Sequence, residues 1–319
     1  MKFLKGCVAA AIFASGAGFS VAQAYPDRPI TVVLPFAAGS PTDSLARVIG
    51  AEMAKKLGQA LVVENKPGAT GIIGTSYVAK AKPDGYTVLF STNTTQAANV
   101  ALFKELPYDP VKDFSAVAIV GGVPHALVVT PEVPVNTTTE LIEYAKKNPG
   151  KLSFPWANST TRITGSTFGV MTNTQLLAVP YKAYPQAITE LIGGQTQMMF
   201  IDFVTGLQYI KAGKLKALAI TPNRSDRLPG VPAVSEALPG FDIGNWAGIF
   251  VPTGTPGPVI EKLNQAMIET LAMPEIKKQV DGIGYELLPS MTPSEFSAFV
   301  VKERDLFSEL VKRAGIEPA

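Results

Sequence analysis

The chain has 319 residues, 28 Lys+Arg against 26 Asp+Glu, one cysteine and one histidine. So even a charge balance excludes the basic field a nucleic-acid partner requires, and the scarcity of Cys and His excludes a disulfide framework and any multi-histidine metal centre. The length exceeds the size at which one hydrophobic core stops growing, which makes two domains the default.

Met1 to Ala24 reads as an export signal: Lys2 and Lys5 lead, an apolar stretch from Cys7 to Phe19 follows, and Ala22-Gln23-Ala24 offers a small-x-small cleavage site. Cleavage after Ala24 removes Cys7, and an exported chain without cysteines suits a Gram-negative periplasm. The apolar stretch is shorter than the roughly 20 residues that span a bilayer.

From Tyr25 onward, short β-branched runs alternate with amphipathic segments. The predicted strands are Ile30 to Leu34, Ala60 to Glu64, Tyr86 to Phe90, Ala116 to Val120, Ala126 to Thr130, Leu152 to Trp156, Leu177 to Val179, Gln197 to Ile201 and Leu215 to Ile220. Helices are predicted at Pro41 to Leu57, Gly71 to Lys80, Thr137 to Lys147, Thr164 to Asn173, Pro185 to Ile192, Val204 to Ala212, Pro256 to Ala272 and Pro293 to Arg313. This alternation implies α/β layers with largely parallel sheets, whose ligands gather at the carboxyl ends of strands. Gly121-Gly122-Val123-Pro124 and Gly244-Asn245-Trp246-Ala247-Gly248 punctuate the chain ahead of new apolar strands. Read as two crossings, they give one lobe from 25–123 and 247–319, a second from 124–246, and a hinge between them. Pro-rich Arg227 to Pro239 reads as an irregular excursion.

The chemistry expected at the strand ends is sparse. In the first loop Ser40 fits a helix N-cap, Pro41 the first helical position, and Asp43 a capping box. Phe36, Ala37, Ala38, Gly39, Ser40, Thr42 and Asp43 then surround backbone N–H groups at the positive end of a helix, a setting for a carboxylate, or else simply a tight strand-to-helix turn. Thr92 and Asn93 follow the third strand. The loop from Trp156 carries Ser159, Thr160, Thr161, Arg162 and Thr164; Arg162 either forks two hydrogen bonds to a carboxylate or is a solvated surface charge. Tyr181 and Lys182 follow another strand, Lys182 as an exposed charge or as positive potential in a cleft. Asp202 is a helix N-cap or an acceptor for a ligand. Gly68, Gly71 and Gly74 match neither the dinucleotide nor the P-loop spacing and read as turn chemistry. No Gly-x-Ser-x-Gly elbow accompanies His125, which reads as a structural or hinge residue.

Tyr25-Pro-Asp-Arg-Pro-Ile30, Pro35-Phe-Ala-Ala-Gly-Ser-Pro-Thr-Asp43, Val62-Val-Glu-Asn-Lys-Pro-Gly-Ala-Thr-Gly71, Lys82-Pro-Asp-Gly-Tyr86, Val179-Pro-Tyr-Lys182, Gly193-Gly194 and Trp246-Ala-Gly-Ile-Phe-Val-Pro-Thr-Gly-Thr-Pro256 occur in that order. Together they resemble the Bug family, the periplasmic receptors of tripartite tricarboxylate transporters. The resemblance implies an α/β two-lobed binding protein of the Venus-flytrap kind that closes on a small carboxylate and passes it to membrane subunits. It implies no cofactor, no metal and no catalysis, and a monomer is expected. By position, Phe36 to Asp43 would form the first ligand loop, Ser159 to Thr164 the second, and Tyr181, Lys182 and Asp202 the facing wall. Family members commonly carry a second glycine at Ser40 and a Gly/Ser-rich, histidine-bearing segment at Asn158 to Thr164, so the identity of the carboxylate does not follow from the resemblance. A secreted α/β hydrolase using His125 is the alternative, and a sensory module with the same cleft a third.

Overall fold

The computed structural model describes residues 25–182 and 184–319. The expected export signal and its cleavage site lie outside these residues. The strands are β1 (Ile30–Leu34), β2 (Leu61–Asn65), β3 (Thr87–Thr92), β4 (Phe114–Gly122), β5 (His125–Val129), β6 (Ser153–Trp156), β7 (Leu177–Pro180), β8 (Met198–Asp202), β9 (Lys216–Thr221), β10 (Trp246–Pro252) and β11 (Glu286–Leu287). The helices are α1 (Pro41–Leu57), α2 (Ile72–Ala79), α3 (Asn99–Leu102), α4 (Thr138–Lys147), α5 (Ser159–Thr172), α6 (Tyr184–Ile192), α7 (Phe203–Lys211), α8 (Val234–Ala237), α9 (Gly257–Leu271), α10 (Pro274–Gly282) and α11 (Pro293–Arg313).

Two groups of strands result. The first is a six-stranded sheet in the order β11-β4-β10-β3-β1-β2. The second consists of β8-β5-β9 and the adjoining pair β6-β7, bridged where Gln197 N donates to Ser153 O at 3.0 Å. The expectation of largely parallel sheets needs correction. Neighbours β1-β2, β1-β3 and β6-β7 are parallel, but β10 runs antiparallel to both β3 and β4, and β5 antiparallel to both β8 and β9. The cause is the crossing itself. Strands joined by helices of their own layer return in the same direction, whereas β5 and β10 enter from the other layer and so run the opposite way.

The crossings lie side by side, because Gly122 of β4 pairs with Trp246 of β10. Glycine is required there by close approach: a Cβ on Gly122 would sit 2.5 Å from Asn245 O, and one on Gly121 2.6 Å from Glu286 O. Apolar side chains from both sheets merge into continuous cores. Phe307, Leu310 and Val311 of α11 join the core that includes Ile163 and Phe168 of α5 and Phe200 and Phe241. The C-terminal helix thus spans from β4 to the second group of strands. No helix among the described residues is long and apolar enough to cross a membrane.

Candidate functional site

The first loop is built around Asp43. Ser40 is the N-cap of α1, its Oγ accepting from Asp43 N at 3.3 Å, and Pro41 takes the first helical position. The Asp43 carboxylate does not close a capping box on Ser40, whose N–H donates instead to Ala37 O. It accepts from Gly39 N at 2.9 Å, from Asn65 Nδ2 at 3.0 Å and from Arg47 Nε. Burial pushes the carboxyl up, but Arg47, Gly39 and Asn65 outweigh it and hold it below the usual carboxylate range. Asn65 Nδ2 also donates to Phe36 O, so one side chain at the end of β2 fixes both ends of the loop. Ala37, Ala38 and Gly39 are left exposed on the rim. Thr42 is buried, and its hydroxyl faces the buried Tyr285 phenol.

Behind this loop the backbone runs left-handed for four residues, Gly68 (φ 128), Ala69 (φ 47), Thr70 (φ 51) and Gly71 (φ 87). A Cβ on Gly71 would meet Thr95 Cγ2 at 2.7 Å, and one on Gly74 would meet Pro35 Cα at 2.9 Å, so these glycines let the turn nest between the first loop and the segment after β3. That segment is a π-helical turn, Thr94–Ala98, continuing into α3. Thr92 caps its start, its Oγ accepting from Thr94 N at 3.2 Å, while Asn93 donates through Nδ2 to Gly244 O at the second crossing.

The second loop is helical. The sequence predicted α5 from Thr164, but it begins at Ser159, because Asn158 caps it: Asn158 Oδ1 accepts from Thr161 N at 2.9 Å and from Thr161 Oγ. Ser159 Oγ donates to Asn99 Oδ1 at 2.7 Å, and the hydroxyls of Thr160 and Thr94 lie 3.0 Å apart. Thr164 returns its hydroxyl to Thr160 O within the helix. Arg162 is half-buried with its guanidinium 5.1 Å above the Trp156 ring, makes no ion pair among the described residues, and has its pKa lowered by burial.

On the remaining wall Tyr181 N extends the β6-β7 pairing by donating to Trp156 O, and Lys182 is exposed. Asp202 is buried and caps α7 through Thr205 N and Oγ, both at 2.9 Å from Oδ1, while its own N–H donates to Tyr184 OH. His125 stands opposite Asp202 and Thr221 in the sheet. Burial pushes its pKa down against the opposing pull of Asp202, which keeps the ring neutral. Surface depressions elsewhere, one between α3 and α11 and one between α4 and α5, contain none of the expected ligand residues.

The structure therefore gathers Asn93, Ser159 and Thr160 into one buried hydrogen-bonded cluster, sets Phe36 to Asp43 beside the left-handed turn that adjoins it, and leaves Lys182 outside. Sequence reasoning missed Asn65, Asn99, Tyr184 and Tyr285. The available signal for Asn99 was a single amide among small apolar residues, Ala97-Ala98-Asn99-Val100-Ala101.

Two α/β units joined by paired crossings, with polar strand-end loops between them, define a periplasmic binding-protein fold. The chain is similar to the periplasmic binding protein BugD (36% identity, 92% of this chain and 100% of that one, TM-score 0.82) and to Rhodopseudomonas palustris Rpa4515 with adipate (32%, 92% and 100%, 0.85). It is also 37% identical over 267 residues to the UPF0065 protein of the tcbD-tcbE intergenic region of Pseudomonas sp. strain P51, 82% of this chain and 79% of the relative. The model of the tripartite tricarboxylate transporter family receptors matches residues 45–316, and the chain belongs to that family of solute-binding receptors.

Proposed function

We propose that this receptor works in the periplasm, after cleavage behind Ala24, by closing two lobes, 25–123 with 247–319 and 124–246, on a small carboxylate. It then delivers that ligand, as a monomer, to the membrane subunits of a tripartite transporter. The reaction is binding, with no covalent step and no cofactor. The observation that carries the carboxylate is Arg162: a half-buried guanidinium on the first turn of α5, held over Trp156 and without an ion-pair partner among the described residues. Such a group accommodates an anion at low cost, since its own desolvation is already met by the fold. The exposed Ala37 and Ala38 backbone and the Ser159 and Thr160 amides supply further donors near two helix N-termini. The adipate held by the Rhodopseudomonas relative supports the same ligand class.

A few charge-assisted hydrogen bonds at about 1.5 to 3 kcal/mol each suffice for micromolar affinity, about 8 kcal/mol. A thermal-shift panel of mono-, di- and tricarboxylates tests this. At a hundred times its dissociation constant a true ligand adds about 2.7 kcal/mol of stability. A panel in which sugars and amines raise the melting temperature and no carboxylate does would overturn the reading.

A further inference from the structure

We infer that Asn99 is a positioning residue for ligand binding: it aligns the α5 N-terminus from the opposite side of the cleft without touching the ligand. This rests on the carboxylate-receptor reading. Asn99 is fully buried and uses both ends of its amide. Nδ2 donates to Thr70 O at 3.2 Å and to Tyr108 OH at 3.3 Å, and Oδ1 accepts from Ser159 Oγ at 2.7 Å. Thr70 belongs to the left-handed run that packs on Pro35 and Thr95 through Gly71, so the amide is anchored in the scaffold of the first ligand loop. Ser159 is the first residue of α5, three positions before Arg162 on the same first turn. One side chain therefore ties the base of one ligand loop to the start of the other.

The neighbouring contacts make the tie directional. Thr160 meets Thr94 at 3.0 Å and Asn93 Oδ1 at 3.5 Å, while Asn158 and Thr161 satisfy each other. The Ser159 and Thr160 side chains are thus committed to protein partners, and what they leave for an anion is backbone N–H groups and the Arg162 guanidinium. A donor set held this way is pre-organised, and loss of the Ser159 to Asn99 bond lets the helix start shift while every ligand-contacting group survives. A shift of this kind shows in the dissociation rate, since encounter depends on the exposed first loop.

The test is a double-mutant cycle in otherwise intact mature protein, using Asn99→Ala, Ser159→Ala and the pair, titrated with adipate or with whichever panel carboxylate binds wild type tightest. Each single variant is expected to bind about tenfold more weakly, through faster dissociation, and the double variant no more weakly than the worse single one. Ser159→Ala keeps the cycle readable where Asn99→Ala unfolds, because removing one hydroxyl at a helix start leaves the Thr70 and Tyr108 bonds in place; Ser159→Thr then restores affinity. Additive losses, unchanged affinity, or losses that track the unliganded melting temperature alone overturn the inference while leaving the receptor reading intact. Failure of wild type to bind any carboxylate defeats both, and is recognised before the variants are compared.

Discussion

Arg162 is the side chain for which the proposed ligand role and a purely structural role predict the most different outcomes. Its neighbours are an aromatic face and its own helix, so Arg162→Ala is expected to weaken the best carboxylate about tenfold while the unliganded melting temperature stays within the scatter of surface substitutions. Isothermal titration reads the first and calorimetry the second; unaltered affinity would return Arg162 to the role of a surface charge. Arg162→Lys is expected to lose most of the affinity too, because an ammonium neither stacks on Trp156 nor forks two hydrogen bonds. Asp43 is the opposite case, a charge consumed by the fold. Its lowered folded-state pKa contributes stability that is fully present above the unfolded value and lost as pH falls through the folded one. Urea unfolding of wild type and Asp43→Asn should therefore differ most at neutral pH, and the two curves should converge below about pH 4.

At the level of elements, the paired crossings depend on the absence of side chains. Gly122→Ala places a methyl 2.5 Å from Asn245 O and should cost roughly 1 to 3 kcal/mol in chemical denaturation, by pushing β4 from the second crossing. The helices α1 and α11 were legible to the residue, because Ser40-Pro41 and Thr292-Pro293 mark helix starts with a cap and a proline. The start of α5 was hidden: its apolar rhythm begins at Ile163, and Asn158 to Arg162 reads equally as a polar loop or as a capped first turn. The π-helical turn at Thr94–Ala98 has no short-range signal at all. Strand direction was misread for β5 and β10 because it is set by which layer a strand comes from, information absent from local pattern. The same holds for the site. Arg162 and the first loop stand out by residue type, whereas Asn99 acquires its partner Ser159 across sixty positions of chain.

For the whole molecule, closure should be visible in one tryptophan and not the other. Trp156 is half-buried under Arg162, while Trp246 is buried among Phe250, Phe296 and Phe299 with its Nε1 donating to Glu303. Trp156→Phe should abolish most of a ligand-induced fluorescence change, and Trp246→Phe should preserve it. A change that follows Trp246 would place the moving parts at the crossings instead of the α5 start. The α11 helix bears on the amplitude, since Phe307, Leu310 and Val311 bind it to the same core as α5. Phe307→Ala is expected to cost about 3 to 5 kcal/mol in unfolding and to loosen that connection.

The contacts among Thr94, Asn99, Ser159 and Thr160 are hydroxyls and an amide, set in front of a core that Ala97, Ala98 and Leu102 share with Ile163 and Phe168. Solvent could take over each of these hydrogen bonds almost one for one, so they fix geometry more than they add adhesion. Such a joint is a latch with polar teeth and a greasy backing: the teeth dictate where the parts register, and the backing dictates how firmly they hold.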